Sequence, residues 1–227
     1  MSAEDNDNYY MLEEEETEKS PLNFAAYEDH ERQEEVEEKE QNNKKSTPFG
    51  NLLKIMFNPV QGWKSLRRSQ IGVESLQSGC FYPLLALLAL SNFAEFFYSV
   101  NVSLQQVITQ AVIAFVAFFF GYFCVQMVLS WILSKDIFKI FEEKFGKEYL
   151  LISMSTLAMF SIVTNILPML WPILIFLPIW TLYLMFKGVR FFKFPTKDEM
   201  KFFVISGASV IGVPLFIDWI LNEILPY

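Results

Sequence analysis

The sequence predicts an all-α fold: a polytopic integral membrane protein in which a bundle of five transmembrane helices follows a disordered acidic N-terminal tail. Three observations predict it. Hydrophobic residues fill 52% of the 227 positions and aromatic residues 17%, with 24 Phe, a composition too apolar for a soluble domain of this length. The apolar residues are gathered into long blocks. The 18 Lys and Arg are confined to some of the segments between those blocks, the pattern produced when positively charged loops stay on the cytoplasmic side of a bilayer.

Residues 1–47 form the tail. Met1 to Asn43 holds 16 Asp and Glu against Lys19, Arg32 and Lys39, a net of -13, whereas Lys44 to Tyr227 holds 10 acidic and 15 basic residues, a net of +5. The overall charge of -8 therefore describes the tail and not the body. Stretches such as LEEEETEKS and ERQEEVEEKEQNNKKS repel themselves and contain few branched apolar side chains, so disorder or transient helix is expected. The arm reads chiefly as a solvating extension, with attachment to a basic partner as the alternative. It lacks the basic start, short apolar core and small-residue cleavage site of a signal peptide, so the N-terminus is expected to be retained.

Residues 48–227 form the membrane domain. It opens with an interfacial helix over about 58–70, where Asn58 suits the cap and Pro59 the first helical position. Val60, Trp63 and Leu66 share one face of that helix, and Lys64, Arg67 and Arg68 are placed to reach anionic headgroups. The helix is thus expected to lie on the bilayer as a membrane contact, with a groove for a partner helix as the alternative.

A crossing needs about 20 mostly apolar residues, and five segments qualify: Phe81–Val100, Val107–Leu133, Leu150–Leu167, Trp171–Phe186 and Phe202–Leu225. Pro168 and Pro172 in ILPMLWP argue for a turn between the third and fourth. In the loop KDIFKIFEEKFGKEY, Phe138, Phe141 and Phe145 recur at helical spacing opposite Glu142 and Glu143, with Gly146 as the expected stop, a second surface-lying helix. Basic residues precede the first span, separate the second from the third and follow the fourth, while the other two loops and the C-terminus have none. The expected topology is an N-terminus in the cytoplasm and a C-terminus outside, in a cell inner membrane of the cytoplasmic type.

Catalytic patterns are missing. There is no glycine-rich phosphate loop, the single histidine is His30 in the acidic tail, and Cys80 and Cys124 are too few for a zinc site. Both cysteines fall toward the cytoplasmic half, where thiols stay reduced. No enzymatic activity, cofactor, metal or nucleic-acid partner is expected; the lipid bilayer is one partner, and other proteins or further copies of this chain are the rest. Ala117–Gly121 and Ala208–Gly212 are small-x-x-x-small pairs that permit close helix contact. The residues with the most chemical interest are Glu95, near the outer end of the first span, and Asp218 in the fifth, a candidate ion or proton site because carboxylates inside a bilayer usually face a cavity or a partner. The alternative is solvation at the outer interface, which is the reading for Glu223.

FNPVQGW ahead of the first span, FGKEYLLISMSTLAMFSIVTNILP through the third, and WTLYLMFKGVRFFKFPTKDEMKFFVISGASVIGVP joining the last two resemble the Yip (Ypt-interacting protein) family, especially its bacterial members. The likeness runs from Phe49 to Pro226, with Asn58, Pro59, Trp63, Gly146, Pro168, Trp180, Leu182, Tyr183 and Gly188 matching in kind and order. The Asp-Leu-Tyr-Gly-Pro element of eukaryotic members is missing, and Lys147 stands where many relatives have a second glycine. The resemblance implies a multi-pass, non-enzymatic membrane protein that associates with partners; in eukaryotic members those are Rab-type GTPases of early secretory membranes.

Overall fold

The computed structural model describes residues 47–69, 71–133, 143–170, 176–192 and 196–225. Regular structure among them is entirely helical: α1 (Pro48–Phe57), α2 (Pro59–Arg68), α3 (Val73–Phe97), α4 (Leu104–Leu133), α5 (Glu143–Ile166), α6 (Leu177–Val189) and α7 (Thr196–Ile224). Four helical stretches are long and apolar enough to cross a bilayer: Val73–Phe97, Leu104–Trp131, Phe145–Ile166 and Asp198–Ile224. The fourth expected span corresponds to α6, which has 13 residues and so is about 20 Å long, short of the roughly 30 Å hydrocarbon layer. Residues 171–175 of that expected span lie outside the described residues, as do the acidic tail, Phe138, Phe141 and Tyr227.

Helices α1 and α2 each begin with a capped proline. Thr47 Oγ1 accepts from the Gly50 N–H at 3.1 Å ahead of Pro48, and Asn58 Oδ1 accepts from the Gln61 N–H at 3.4 Å ahead of Pro59. The two helices meet closely: a Cβ on Gly62 would lie 2.5 Å from the Ile55 Cα. Phe49, Phe57 and Val60 stay exposed, whereas Leu52, Ile55, Trp63 and Leu66 are buried. Trp63 and Leu66 are buried in the same core as residues of α3, α5 and α6, and the Trp63 indole N–H donates to the Leu184 carbonyl at 3.0 Å. The expectation of a surface-lying membrane contact is therefore corrected for Trp63: the bundle itself offers an apolar face and a carbonyl beside it, and burying the indole there satisfies its N–H. Lys64, Arg67 and Arg68 remain exposed, and Arg67 donates to the Phe191 carbonyl and lies 5.6 Å from the Phe145 ring centre.

The first span starts eight residues before the expected Phe81. Its helix is widened into a π turn at Gln77–Phe81 and tightened into a 3₁₀ turn at Asn92–Phe97. The π turn has a local cause. Pro83 offers no N–H and its ring crowds the carbonyl four residues back, so the chain shifts its pairing there and the Tyr82 N–H bonds to the Gln77 carbonyl instead. Gly146 is a second correction. It is buried within α5, which runs on through it from Glu143; an isolated glycine costs a helix interior only about 1 kcal/mol, and burial of Phe145, Tyr149 and Leu150 on either side outweighs that.

Side-chain contacts at the helix ends set the direction of each helix. Trp63 and Tyr149 have ring centres 5.5 Å apart, Phe145 and Phe192 4.7 Å, Tyr149 and Phe202 5.8 Å, and Phe192 and Phe202 5.2 Å. The start of α5, the exit from α6 and the start of α7 thus meet at one end, where Arg67, Lys147, Arg190 and Lys201 also lie along the sequence. At the opposite end, Asn165 Nδ2 donates to Ser91 Oγ at 2.9 Å, Tyr98 Oη to the Asn165 carbonyl at 2.6 Å, and Gln110 Nε2 to Asn222 Oδ1 at 3.2 Å. The exposed face of α4 carries Ile108, Val112, Phe115, Phe123, Met127 and Trp131, an apolar stripe suited to lipid and not to water. Ala117 is buried, and Gly121 faces α7, where a Cβ would meet the Pro214 ring at 3.2 Å, whereas Gly212 has nothing within 4 Å. Of the two small-residue pairs, only the first serves a helix contact among the described residues.

Candidate functional site

Two features stand out, one at each end. At the basic end, the ring cluster clamps α2 onto the bundle. Trp63 is wholly buried against Phe145 and Tyr149, and Gly188 is what admits it: a Cβ there would lie 2.8 Å from the indole and 2.9 Å from the Tyr149 ring. Tyr149, equally buried, places its hydroxyl 3.4 Å from both the Met185 carbonyl and Ser206 Oγ. Tyr183 and Trp180 point out of the bundle, 5.1 Å apart, with the Lys187 ammonium 5.4 Å from the Tyr183 ring centre, the posture of a long basic side chain covering an aromatic at a membrane edge.

At the opposite end lies a partly open cavity of about 460 Å³ lined by residues of α3, α4, α5, α6 and α7. Its polar lining is Asn92, Gln110, Ser161, Thr164, Asn165 and Asp218, and its apolar wall includes Ala117, Phe118, Leu157, Phe160 and Pro214. Leu177 and Pro178, the first residues of α6, border it. Among the described lining residues, Asp218 is the single ionisable one. Its Oδ2 accepts from Asn222 Nδ2 at 3.2 Å, and Asn222 Oδ1 in turn accepts from Gln110, an amide chain that ties α4 to α7 beside the carboxylate. Hydroxyls of Ser161 and Thr164 are turned back to carbonyls of their own helix.

Of the two carboxylates expected to converge, the cavity takes in Asp218 and not Glu95. Glu95 sits on the 3₁₀ turn, its backbone carbonyl accepting from the Tyr98 and Ser99 N–H groups, and Glu223 is exposed. Asn92, Gln110 and Asn222 were not singled out from sequence, although amides within apolar spans are a usable signal: they need partners there. Among the described residues, no group of three His, Cys, Asp or Glu could hold a metal, and Cys80 and Cys124 are free. Pro168 opens a 3₁₀ turn, Pro168–Leu170, after α5.

Apolar helices of spanning length, a lipid-suited exterior and polar groups paired inside the bundle define a multi-pass helical membrane protein. The family model of the Yip1 domain matches residues 53–218, and the chain belongs to that family. The matched region spans α1 to the Asp218 turn of α7. No curated protein and no solved structure matches the chain.

Proposed function

We propose that the chain is a non-enzymatic interaction or membrane-organising component, with five crossings of a cell inner membrane, a cytoplasmic N-terminus and an outer C-terminus. The observation that carries the proposal is the clamped pair α1–α2. These two helices of 10 residues each are held against the bundle by a buried indole that bonds to α6, so the basic end presents a fixed surface of Lys54, Lys64, Arg67 and Arg68 instead of a mobile leader. A fixed polar surface lowers the ordering cost of binding. The fifth crossing is supported by the end contacts: the chain leaves α5 beside Tyr98 and reaches Trp63 and Phe202 by Leu184 and Phe192, so it returns the length of the bundle between residues 166 and 192. Protein partners or a second copy of the chain are the clients of that surface.

Crosslinking of the full chain in native membranes, with identification of what is attached, tests the proposal. One stoichiometric protein, lost or weakened when Trp63→Ala releases α2, is the expected result. Only lipid adducts, or a partner indifferent to Trp63, would overturn it. The cavity favours a second reading, a small channel or transporter for a cation, proton or lipid that uses Asp218; flux through reconstituted vesicles that survives Asp218→Asn unchanged would exclude it.

A further inference from the structure

The far-end cavity has the dimensions and lining of a ligand site, and the geometry points to one class of occupant: a single-chain amphiphile with a protonated amine head. The volume, about 460 Å³, lies within the roughly 300–1,000 Å³ of small-molecule pockets. Water occupies about 30 Å³ per molecule, so an inorganic cation with its waters would leave the Phe118 and Leu157 side of the wall in contact with nothing that suits it. A purely apolar occupant fails at the other side, where Asp218, Gln110, Asn165 and Thr164 would face hydrocarbon. An ammonium group resolves both: it donates to the Asp218 carboxylate and to amide oxygens while its chain covers the apolar wall. Phosphate-bearing headgroups are disfavoured, because among the described residues none in the lining is basic and a phosphate would stand unneutralised beside Asp218. None of the cavity's described lining residues belongs to the clamped α1–α2 pair, so occupancy does not depend on the interaction reading above; it deepens the transport reading, which shares Asp218, and saturable binding without flux would separate the two.

Equilibrium binding of radiolabelled octylammonium to the full chain in phosphatidylcholine nanodiscs, corrected for protein-free discs, tests the assignment. Saturable binding of one molecule per chain is expected, weakened at least tenfold by Asp218→Asn, whose remaining amide oxygen still accepts from Asn222. Glu95→Gln, outside the cavity, should bind as the unaltered chain does. On the unaltered chain, octanol should compete at least tenfold more weakly than unlabelled octylammonium, a comparison that needs no variant to fold. Binding no greater than that of protein-free discs, equal affinity in Asp218→Asn, or equal competition by octanol would each overturn the proposal.

Discussion

At the scale of single residues, Gly188 and Asn51 carry the sharpest consequences. Gly188 has to lack a side chain because the Trp63 indole and the Tyr149 ring occupy the place of its Cβ; backbone freedom plays no part. Gly188→Ala is expected to destabilise the bundle by about 2 kcal/mol, the scale of overpacking in a filled core, measured as a lowered midpoint of unfolding in mixed detergent micelles. Because part of the clash is with Trp63, combining it with Trp63→Leu should cost less than the sum of the two single changes; strict additivity would place the strain on the Tyr149 contact alone. Asn51 is buried in α1, and among the described residues neither its side-chain nitrogen nor its oxygen has a hydrogen-bond partner. Replacing an unsatisfied amide by a hydrocarbon of similar size removes a desolvation penalty of about 1–3 kcal/mol, so Asn51→Leu should raise the unfolding midpoint. A lowered midpoint would mean that the amide has a role that its surroundings do not reveal.

At the scale of helices, the contact between α4 and α7 separates a small residue that matters from one that does not. A side chain at Gly121 meets Pro214 and Met154, while one at Gly212 meets open space. Gly121→Ile should lower the unfolding midpoint and Gly212→Ile should leave it within error; equal effects would reject the packing described for α4 and α7. Both glycines sit in the same four-residue spacing, which is why sequence alone could not rank them: spacing fixes which residues share a face, not which face finds a neighbour. The long apolar spans were legible because continuous hydrophobic runs need no partner to identify them. Helix ends were less so. The polar run VESLQSGC hid the first two turns of α3, and Gly146 read as a stop because the burial on either side of it is a tertiary effect. Trp63 among basic residues fits a bilayer surface as well as a protein core, and only the carbonyl of Leu184, 121 positions away, decides between them. In the candidate site Asp218 was visible as a carboxylate inside a span, but the amides of Gln110 and Asn222 beside it depend on how the helices come together.

At the scale of the whole molecule, the two ends have different chemistry because a bilayer forces the separation. The end with the ring cluster gathers Arg67, Arg190 and Lys201 near helix termini, and the other end joins its helices through neutral amides and hydroxyls. Moving a Lys or Arg to the middle of a bilayer costs about 3 kcal/mol or more, so thirteen basic residues outside the tail lying in alternate loops is a strong constraint on threading. On the proposed topology the number of crossings is odd, and the clamped α1–α2 surface and the polar cavity then open toward opposite compartments. The most direct measurement is labelling of single cysteines with a membrane-impermeant maleimide in intact cells, with Cys80 and Cys124 replaced by Ser. The account predicts that Tyr227→Cys reacts from outside while Asn43→Cys reacts only after the membrane is permeabilised; reaction of both from the same side would contradict it.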